Sequence, residues 1–178
     1  DVCSSDLDLS NTAASPGHTW PLWRPRRMTA RLCEWGVQGA RALANGAGVL
    51  IVVDVLSFST CVDVAVARGA RVYPFRFGDP AAAAEAAAQI GAQVAGRRGS
   101  TEHRYNLSPS SLAKAEPGEA ILLPSPNGST IASTPSEATV LAGCLRNATA
   151  VARRALALAE DRPIAVIPAG ERWPDGSL

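Results

Sequence analysis

A chain of 178 residues is long enough for one domain with a real core and short for two. Hydrophobic residues make up 47% and charged residues 19%, which excludes a disordered chain, and no apolar run approaches the roughly 20 residues of a membrane span. Because the net charge is only +1, the sequence predicts no general attraction to nucleic acid or to a membrane surface.

The cysteines and histidines exclude several kinds of site. The four cysteines stand far apart, without a C-x-x-C pair or nearby histidines, so a structural zinc is not expected. Cys61 and Cys144 lie among small apolar residues, which predicts buried thiols in a reducing compartment. His18 and His103 are the only histidines, so a Ser-His-Asp or Cys-His system has few bases. We therefore expect a cytoplasmic protein.

Residues 1–28 form the first segment. They mix Ser, Pro, Gly and charged residues without periodicity, which is typical of a disordered or extraneous N-terminal lead. The segment lacks the basic start and continuous apolar run of a signal peptide. The folded domain is predicted to cover residues 29–178.

From residue 29 the chain alternates strand and helix patterns. Five aliphatic residues, Val49–Val53, end at the lone carboxylate of Asp54, and such a short apolar run indicates a buried strand of a parallel sheet. Asp79 and Pro80 are a typical helix start, because Asp caps N–H groups and Pro is tolerated in the first turn. The predicted elements are strands at 30–35, 49–53, 71–75 and 93–95, and helices at 37–44, 58–68 and 81–90.

The second half continues the alternation. Ser108 and Ser110 precede a short helix, and Pro117 with Gly118 turns the chain into the next strand. Strands are predicted at 120–123, 139–142 and 163–167, a short helix after the loop 124–130, and the longest helix at 145–160. Alternating strands and helices favour a layered α/β domain with a largely parallel or mixed sheet.

Four of the predicted strands end in polar loops. In a parallel sheet such ends lie on one edge, so groups that are distant in sequence meet there. The loops together offer a carboxylate, hydroxyls, an amide, backbone N–H groups and guanidinium groups, which suits a phosphorylated or otherwise polyanionic small molecule, with or without a divalent metal. The four loops are residues 54–60, 96–100, 125–130 and 170–172.

Each residue of these loops also has a structural interpretation. Asp54 and Asn147 are equally suited to capping a helix, and Asn127 with Gly128 to forming a turn. The two adjacent arginines of the loop 96–100 are more typical of a solvated loop than of an anion-binding site. The functional interpretation therefore depends on convergence at one edge.

Three common site motifs are absent from the sequence. It contains no G-x-G-x-x-G after the strand Val49–Val53 and no G-x-x-x-x-G-K-[ST], which argues against a dinucleotide enzyme and a P-loop NTPase. It contains no G-x-S-x-G, which argues against an α/β-hydrolase.

An ordered set of motifs resembles one known family. VVDVLSFST is followed by VARGARVYPF, AGRRGS, SPNGST, LAGCLRNATAVA and IPAGE, and this order and spacing resemble the 2-phosphosulfolactate phosphatase family, the ComB-like proteins. The resemblance covers residues 30–178. It implies a magnesium-dependent phosphatase with a three-layer α/β/α fold that acts on the phosphate ester of a sulfonated hydroxy acid in coenzyme M synthesis.

The resemblance also implies a site. Its catalytic residues would be Asp54, Arg98 and Asn127, and its Mg²⁺ ligands would be Asp54 and Glu171. Whether Asp54 is a metal ligand or the nucleophile is left open. The predicted substrate-binding residues are Ser57, Ser59, Thr60, Arg97, Ser108, Gly128, Ser129 and Asn147.

The chain also departs from the family pattern. Ser57 stands where the family commonly has Arg, Arg97 replaces an acidic residue, and the N-S-P segment appears as residues 107–109 with Asn106 displaced by one position. The chain ends at Leu178, before a further acidic segment, so it resembles a fragment.

Two functions are therefore predicted. The first is Mg²⁺-dependent hydrolysis of 2-phosphosulfolactate or a related small phosphomonoester. The alternative, suggested by Ser57, is a non-catalytic binder of an anionic metabolite on the same fold. Neither predicts a nucleic-acid or membrane partner, and a homo-oligomer is left open.

Overall fold

The computed structural model describes residues 29–76 and 78–170, which form alternating strands and helices. The strands are β1 (Arg31–Cys33), β2 (Val49–Val53), β3 (Arg71–Arg76), β4 (Gln93–Gly96), β5 (Tyr105–Asn106), β6 (Ala120–Ser125), β7 (Thr139–Gly143) and β8 (Ile164–Pro168). The helices are α1 (Gly36–Leu43), α2 (Phe58–Ala67), α3 (Pro80–Ile90), α4 (Pro109–Leu112), α5 (Gly128–Ala132) and α6 (Ala148–Leu158).

The strands of the described ranges form two four-stranded sheets. Their orders are β1-β8-β2-β7 and β3-β6-β4-β5, and every pairing within the described ranges is parallel. In the first sheet Val49 pairs with Thr139 on one side and Ile164 on the other, so β2 is central and β7 and β8 flank it. The prediction of parallel strands is confirmed, whereas the prediction of one edge shared by all strand ends is wrong, because the strands divide between two sheets.

Side chains of the central strands alternate between two helical layers. On β2, Leu50 and Val52 pack with α1 and α5, whereas Val49 and Ile51 pack with α6. On β6, Ile121 and Leu123 pack with α2 and α4, whereas Leu122 packs with α3 on the opposite face. Each sheet is thus covered on both faces, which is the three-layer α/β/α arrangement predicted from the sequence.

Helices α2 and α5 connect the two sheets. Helix α2 contacts β3 and β7, and α5 contacts β2, β3 and β6. The side chain of Ala132 at the end of α5 packs against the cores of both sheets. Helix α2 begins just after β2, and α5 begins just after β6. Because both helices pack between the two sheets, the ends of β2 and β6 lie next to each other.

Local sequence signals define helix α3 as predicted. The carboxylate of Asp79 accepts hydrogen bonds from the N–H groups of Ala81 and Ala82 at 2.9 and 3.2 Å. Pro80 occupies the first turn, and Gly91 ends the helix in the left-handed conformation with φ 63°. None of the helices in the described part of the chain has the length and apolar character to cross a bilayer.

Some predicted elements differ from those observed. The short strand β5 was not predicted, and the longest predicted helix, 145–160, is shorter because residues 145–147 form a turn before α6. The N-terminal lead at 1–28 and residues 171–178 lie outside the described ranges, so the domain limits predicted there stay predictions.

Candidate active site

The carboxylate of Asp54, directly after β2, joins the first turns of two helices. Its Oδ1 accepts a hydrogen bond from the N–H of Phe58 at 3.3 Å, and its Oδ2 accepts one from the N–H of Gly128 at 3.0 Å. Phe58 begins α2 and Gly128 begins α5. The N-terminal N–H groups of helices lack intrahelical acceptors and favour negative charge, so both helices hold this carboxylate in place.

The approach of α5 to α2 requires glycine at position 128. A Cβ atom there would lie 2.3 Å from Cδ1 and 2.5 Å from Cβ of Phe58. Gly128 is buried, so neighbouring groups have little room to move. The sequence predicted Gly128 as a substrate-binding turn residue, and its described role is to bring its own N–H to Asp54.

Ser57 connects the turn after β2 to two other loops. Its hydroxyl donates to the carbonyl of Leu107 at 3.0 Å and accepts from Nη2 of Arg98 at 3.0 Å. Ser57 is buried, and Arg98 comes from the loop after β4. Two residues that the sequence assigned to the site are therefore in direct contact, although 41 positions separate them.

Asn127 brings a fourth strand end into the cluster. Its side-chain N–H donates to the carbonyl of Gly170 at 3.3 Å, which links the turn after β6 to the residues that follow β8. The ends of β2, β4, β6 and β8 are thus joined by hydrogen bonds. The predicted convergence of four strand ends is observed, but at the junction of two sheets instead of the edge of one.

A cavity of about 350 Å³ opens beside Ser57 and Arg98. Its walls include Thr60 and Ser108, and also Arg146, which was not among the site residues predicted from the sequence. Arg146 immediately precedes Asn147 in the turn after β7, so its position after a strand end was the available signal.

Several predicted hydroxyl ligands donate to the backbone instead. The buried hydroxyl of Ser59 donates to the carbonyl of Val52 at 3.0 Å and accepts from the N–H of Asp54 at 3.1 Å. The buried hydroxyl of Ser129 donates to the carbonyl of Leu123 at 2.6 Å. These contacts shape the two strand-to-helix turns, and substrate binding by Ser59 and Ser129 stays a prediction.

Thr60, Asn147 and Ser108 also have defined local contacts. Thr60 donates to the carbonyl of Val55 at 2.7 Å. The amide of Asn147 accepts from the N–H of Cys144 at 2.8 Å and donates to the carbonyl of Ala142 at 3.1 Å. Ser108 caps α4. Of these three residues, Thr60 and Ser108 also line the 350 Å³ cavity.

Arg97 lies in a different cavity from Arg98. A cavity of about 460 Å³ is lined by Arg97, Asp79 and His103, together with residues of α3. Helix α3 packs on the face of the second sheet opposite to α2 and α4, so the two neighbouring arginines face different cavities. Asp54 and Asn127 line neither of these two cavities, whereas Ser57 lines the smaller one. The smaller cavity therefore adjoins the joined strand ends through Ser57 and Arg98, and it is the candidate substrate site.

Cys61 lies next to this cluster but is not suited to nucleophilic attack. Burial raises the pKa of its thiol to about 11, with a smaller upward effect from Asp54 and opposing effects from Ser57 and Arg98. The thiolate is the reactive form of cysteine, so a thiol of this pKa is inert near neutral pH. The prediction that Cys61 is a buried thiol is confirmed.

The described part of the site offers Mg²⁺ the carboxylate of Asp54. No three His, Cys, Asp or Glu side chains cluster as metal ligands within residues 29–76 and 78–170. Mg²⁺, however, is commonly bound through one or two carboxylates, water and substrate phosphate, and carboxylate oxygens have two lone pairs each. Asp54 fits such a site. Glu171 lies outside the described residues, so its role as a ligand stays a prediction.

Comparison with known proteins identifies the family. The model of the family described as 2-phosphosulpholactate phosphatase matches residues 38–174, well over half of the chain. No curated protein sequence matches the chain significantly. The matched range contains β2, both strand-to-helix turns, the Arg98 loop and Arg146. The chain therefore belongs to the 2-phosphosulpholactate phosphatase family, which consists of phosphoric monoester hydrolases.

Proposed function

We propose that the chain hydrolyses a small phosphorylated hydroxy acid, 2-phosphosulfolactate or a related phosphomonoester, in a Mg²⁺-dependent reaction at Asp54. The observation that carries this proposal is the position of the Asp54 carboxylate, which accepts N–H groups from the first turns of both α2 and α5. Arg98 donates a hydrogen bond to the hydroxyl of Ser57 in the adjoining turn. A carboxylate and a guanidinium group from separate strand ends are suited to a phosphate with its metal.

The chain's own residues would position the ester. Arg98 presents a planar guanidinium group, which matches the oxygens of a phosphate, and Ser57 holds one of its nitrogens. Asn127 lies at the start of α5, where its amide fixes the end of β8 through Gly170. Mg²⁺ held by Asp54, and by Glu171 as predicted, would neutralise phosphate charge and activate water.

The contacts of Asp54 favour a ligand role over a nucleophilic one. Both carboxylate oxygens accept backbone N–H bonds, which stabilise the anion and fix its orientation. A nucleophilic role predicts a covalent aspartyl phosphate during turnover. Mass spectrometry of acid-quenched enzyme distinguishes the two roles, because a ligand role leaves the mass of the peptide with Asp54 unchanged.

The test of the proposal is phosphate release. We expect release of inorganic phosphate from 2-phosphosulfolactate or 2-phospholactate in Mg²⁺, loss of release in EDTA, and recovery when Mg²⁺ is added back. No release across a panel of phosphorylated hydroxy acids would refute catalysis. Calorimetric binding of these esters without release would support the alternative, a non-catalytic binder. A role in coenzyme M synthesis stays a prediction from the family resemblance, and a cytoplasmic location stays a prediction from the cysteine pattern.

A further inference from the structure

Arg146 lies in the same 350 Å³ cavity as Arg98 and Ser57. It belongs to the turn between β7 and α6, whereas Arg98 follows β4 in the other sheet. The cavity thus receives guanidinium groups from both sheets. A phosphate monoester is a dianion that two guanidinium groups can share, so the alternative to a separate anion site is that both arginines hold the phosphate.

The guanidinium group of Arg146 is held on one side. Its Nε lies 2.8 Å from Oδ2 of Asp63, whose side chain is 19% exposed and belongs to α2. Within the described residues, Asp63 is the hydrogen-bond partner of Arg146, and it engages Nε. The Nη1 and Nη2 groups are the pair of donors that suits a carboxylate or a similar anion. The Arg146 side chain is 60% exposed, so a ligand can reach these groups.

The remaining walls of the cavity are largely apolar. Val55, Leu56, Pro109 and Leu145 line it, and Leu56 and Leu145 are 83% and 84% exposed. A ligand with a short carbon chain would cover part of this exposed apolar surface, and removing apolar surface from water favours binding. The cavity therefore combines a phosphate-binding end, at Arg98 and Ser57, with apolar walls and a second cation.

We propose that Arg146, oriented by Asp63, binds a second anionic group of the substrate and so selects phosphate esters of short hydroxy acids over phosphate esters of neutral alcohols. This inference rests on the proposed function and deepens it by assigning the acid selectivity to one side chain. Arg146 binds the substrate, and Asp63 is a positioning residue that acts through it.

Two substrates of equal chain length test this assignment. 2-Phosphoglycolate carries a carboxylate, and ethyl phosphate has a methyl group in its place. In Arg146→Met we expect kcat/KM for 2-phosphoglycolate to fall by roughly 10- to 100-fold, mainly through KM, because a charge-assisted hydrogen bond is lost. For ethyl phosphate we expect a change of less than about threefold, since that ester has no second anion.

The matched control is Arg153→Met, which removes the same side chain from an exposed position on α6. We expect it to leave the preference between the two esters unchanged. Arg146→Lys keeps the charge without the planar donor pair and should recover only part of the loss. Asp63→Asn should weaken the preference less than Arg146→Met does. Equal losses for both esters, or the same change in Arg153→Met, would overturn the proposal.

Failure of the proposed function is separable from failure of this inference. Hydrolysis is refuted only if the whole panel of phosphorylated hydroxy acids gives no release. If the wild-type chain releases phosphate from neither of the two esters, the preference is measured as the ratio of calorimetric dissociation constants for the same two compounds. A ratio that favours 2-phosphoglycolate and is lost in Arg146→Met supports the role of Arg146. A wild-type chain that binds both compounds equally, or neither, contradicts it.

Discussion

The carboxylate of Asp54 accepts a hydrogen bond from the N–H of Gly128 at 3.0 Å, although the two residues follow strands of different sheets. The two turns that meet here are built alike. Ser59 and Ser129 each donate to a carbonyl of the preceding strand, at 3.0 and 2.6 Å. The residue after each serine, Thr60 or Thr130, donates to a carbonyl five positions earlier. The site is thus formed by two similar strand–turn–helix units.

Gly128→Ala is expected to separate these two units. The new Cβ would lie 2.3 Å from Cδ1 of Phe58 in a buried contact, so α5 or Phe58 must move. Overpacking of this kind destabilises by about 1–3 kcal/mol. We also expect phosphatase activity to fall, because the hydrogen bond from position 128 to Asp54 is strained. Urea unfolding and phosphate release measure the two effects.

The matched control for this substitution is Gly46→Ala. A Cβ at position 46 has no neighbour within 4 Å, so this substitution is expected to change the free energy of unfolding by less than about 0.5 kcal/mol. A Gly128→Ala chain as stable and as active as Gly46→Ala would show that the close contact with Phe58 is unimportant.

Asp54→Asn is expected to remove the charge without changing the shape of the side chain. An amide supplies one acceptor oxygen, so its NH₂ group must face one of the two N–H groups that Asp54 accepts, from Phe58 or Gly128. We expect a stability loss of about 1–3 kcal/mol and a loss of roughly 100-fold or more in kcat. Chemical unfolding and steady-state kinetics measure these quantities. Asp161→Asn, at an exposed position, is the control, and equal effects of the two substitutions would contradict a special role for Asp54.

Arg98 and Arg97 are expected to differ in their contribution to catalysis. Arg98 lines the cavity beside Ser57, whereas Arg97 lines the other cavity. Arg98→Met should lower kcat/KM by roughly 100-fold through the loss of a charged phosphate contact. Arg97→Met should lower it much less. Kinetics of both variants on one phosphomonoester measure the difference, and equal losses would restore the sequence prediction that both arginines bind the substrate.

Tyr105 and Glu119 predict a pH dependence of stability. The buried hydroxyl of Tyr105 donates to Oε2 of Glu119 at 2.5 Å. This bond lowers the pKa of Glu119, while burial, reinforced by Glu119, raises the pKa of Tyr105 to about 12. The contribution of Glu119 to the free energy of unfolding is therefore complete above the ordinary carboxyl pKa of 4.5 and is lost as pH falls below that value. The contribution of Tyr105 is complete below pH 10 and is lost as pH rises towards 12.

Tyr105→Phe tests the predicted loss of stability in acid and at alkaline pH. We expect a loss of about 1–3 kcal/mol in the free energy of unfolding at pH 7, because a hydrogen bond to a charged group is removed. The difference from wild type should shrink in acid, where Glu119 is protonated, and above pH 10. Tyr73→Phe on β3 is the matched control. A difference that is constant between pH 3.5 and pH 11 would contradict this account.

Much of the candidate site was predictable from short patterns. The run Val49–Val53 followed by a lone carboxylate identified a strand end, and the segment around Asn127 and Gly128 identified another. Both predictions depend on properties of a few neighbouring residues, so local sequence is sufficient. Arg146 was missed because its position after a strand end does not by itself show what the side chain contacts, and its significance comes from Asp63, 83 positions away.

The sequence by itself determined the order of the strands and helices other than β5, the polar character of the strand ends and the family, because hydrophobic periodicity, capping residues and ordered motifs are local properties of the chain. Only the tertiary structure decided that these strands form two sheets, that Arg98 and Arg97 face different cavities, and that Gly128 donates to Asp54. Those features depend on which strands pair across long crossovers. Strand pairing is decided by the packing of whole layers, which no single segment encodes.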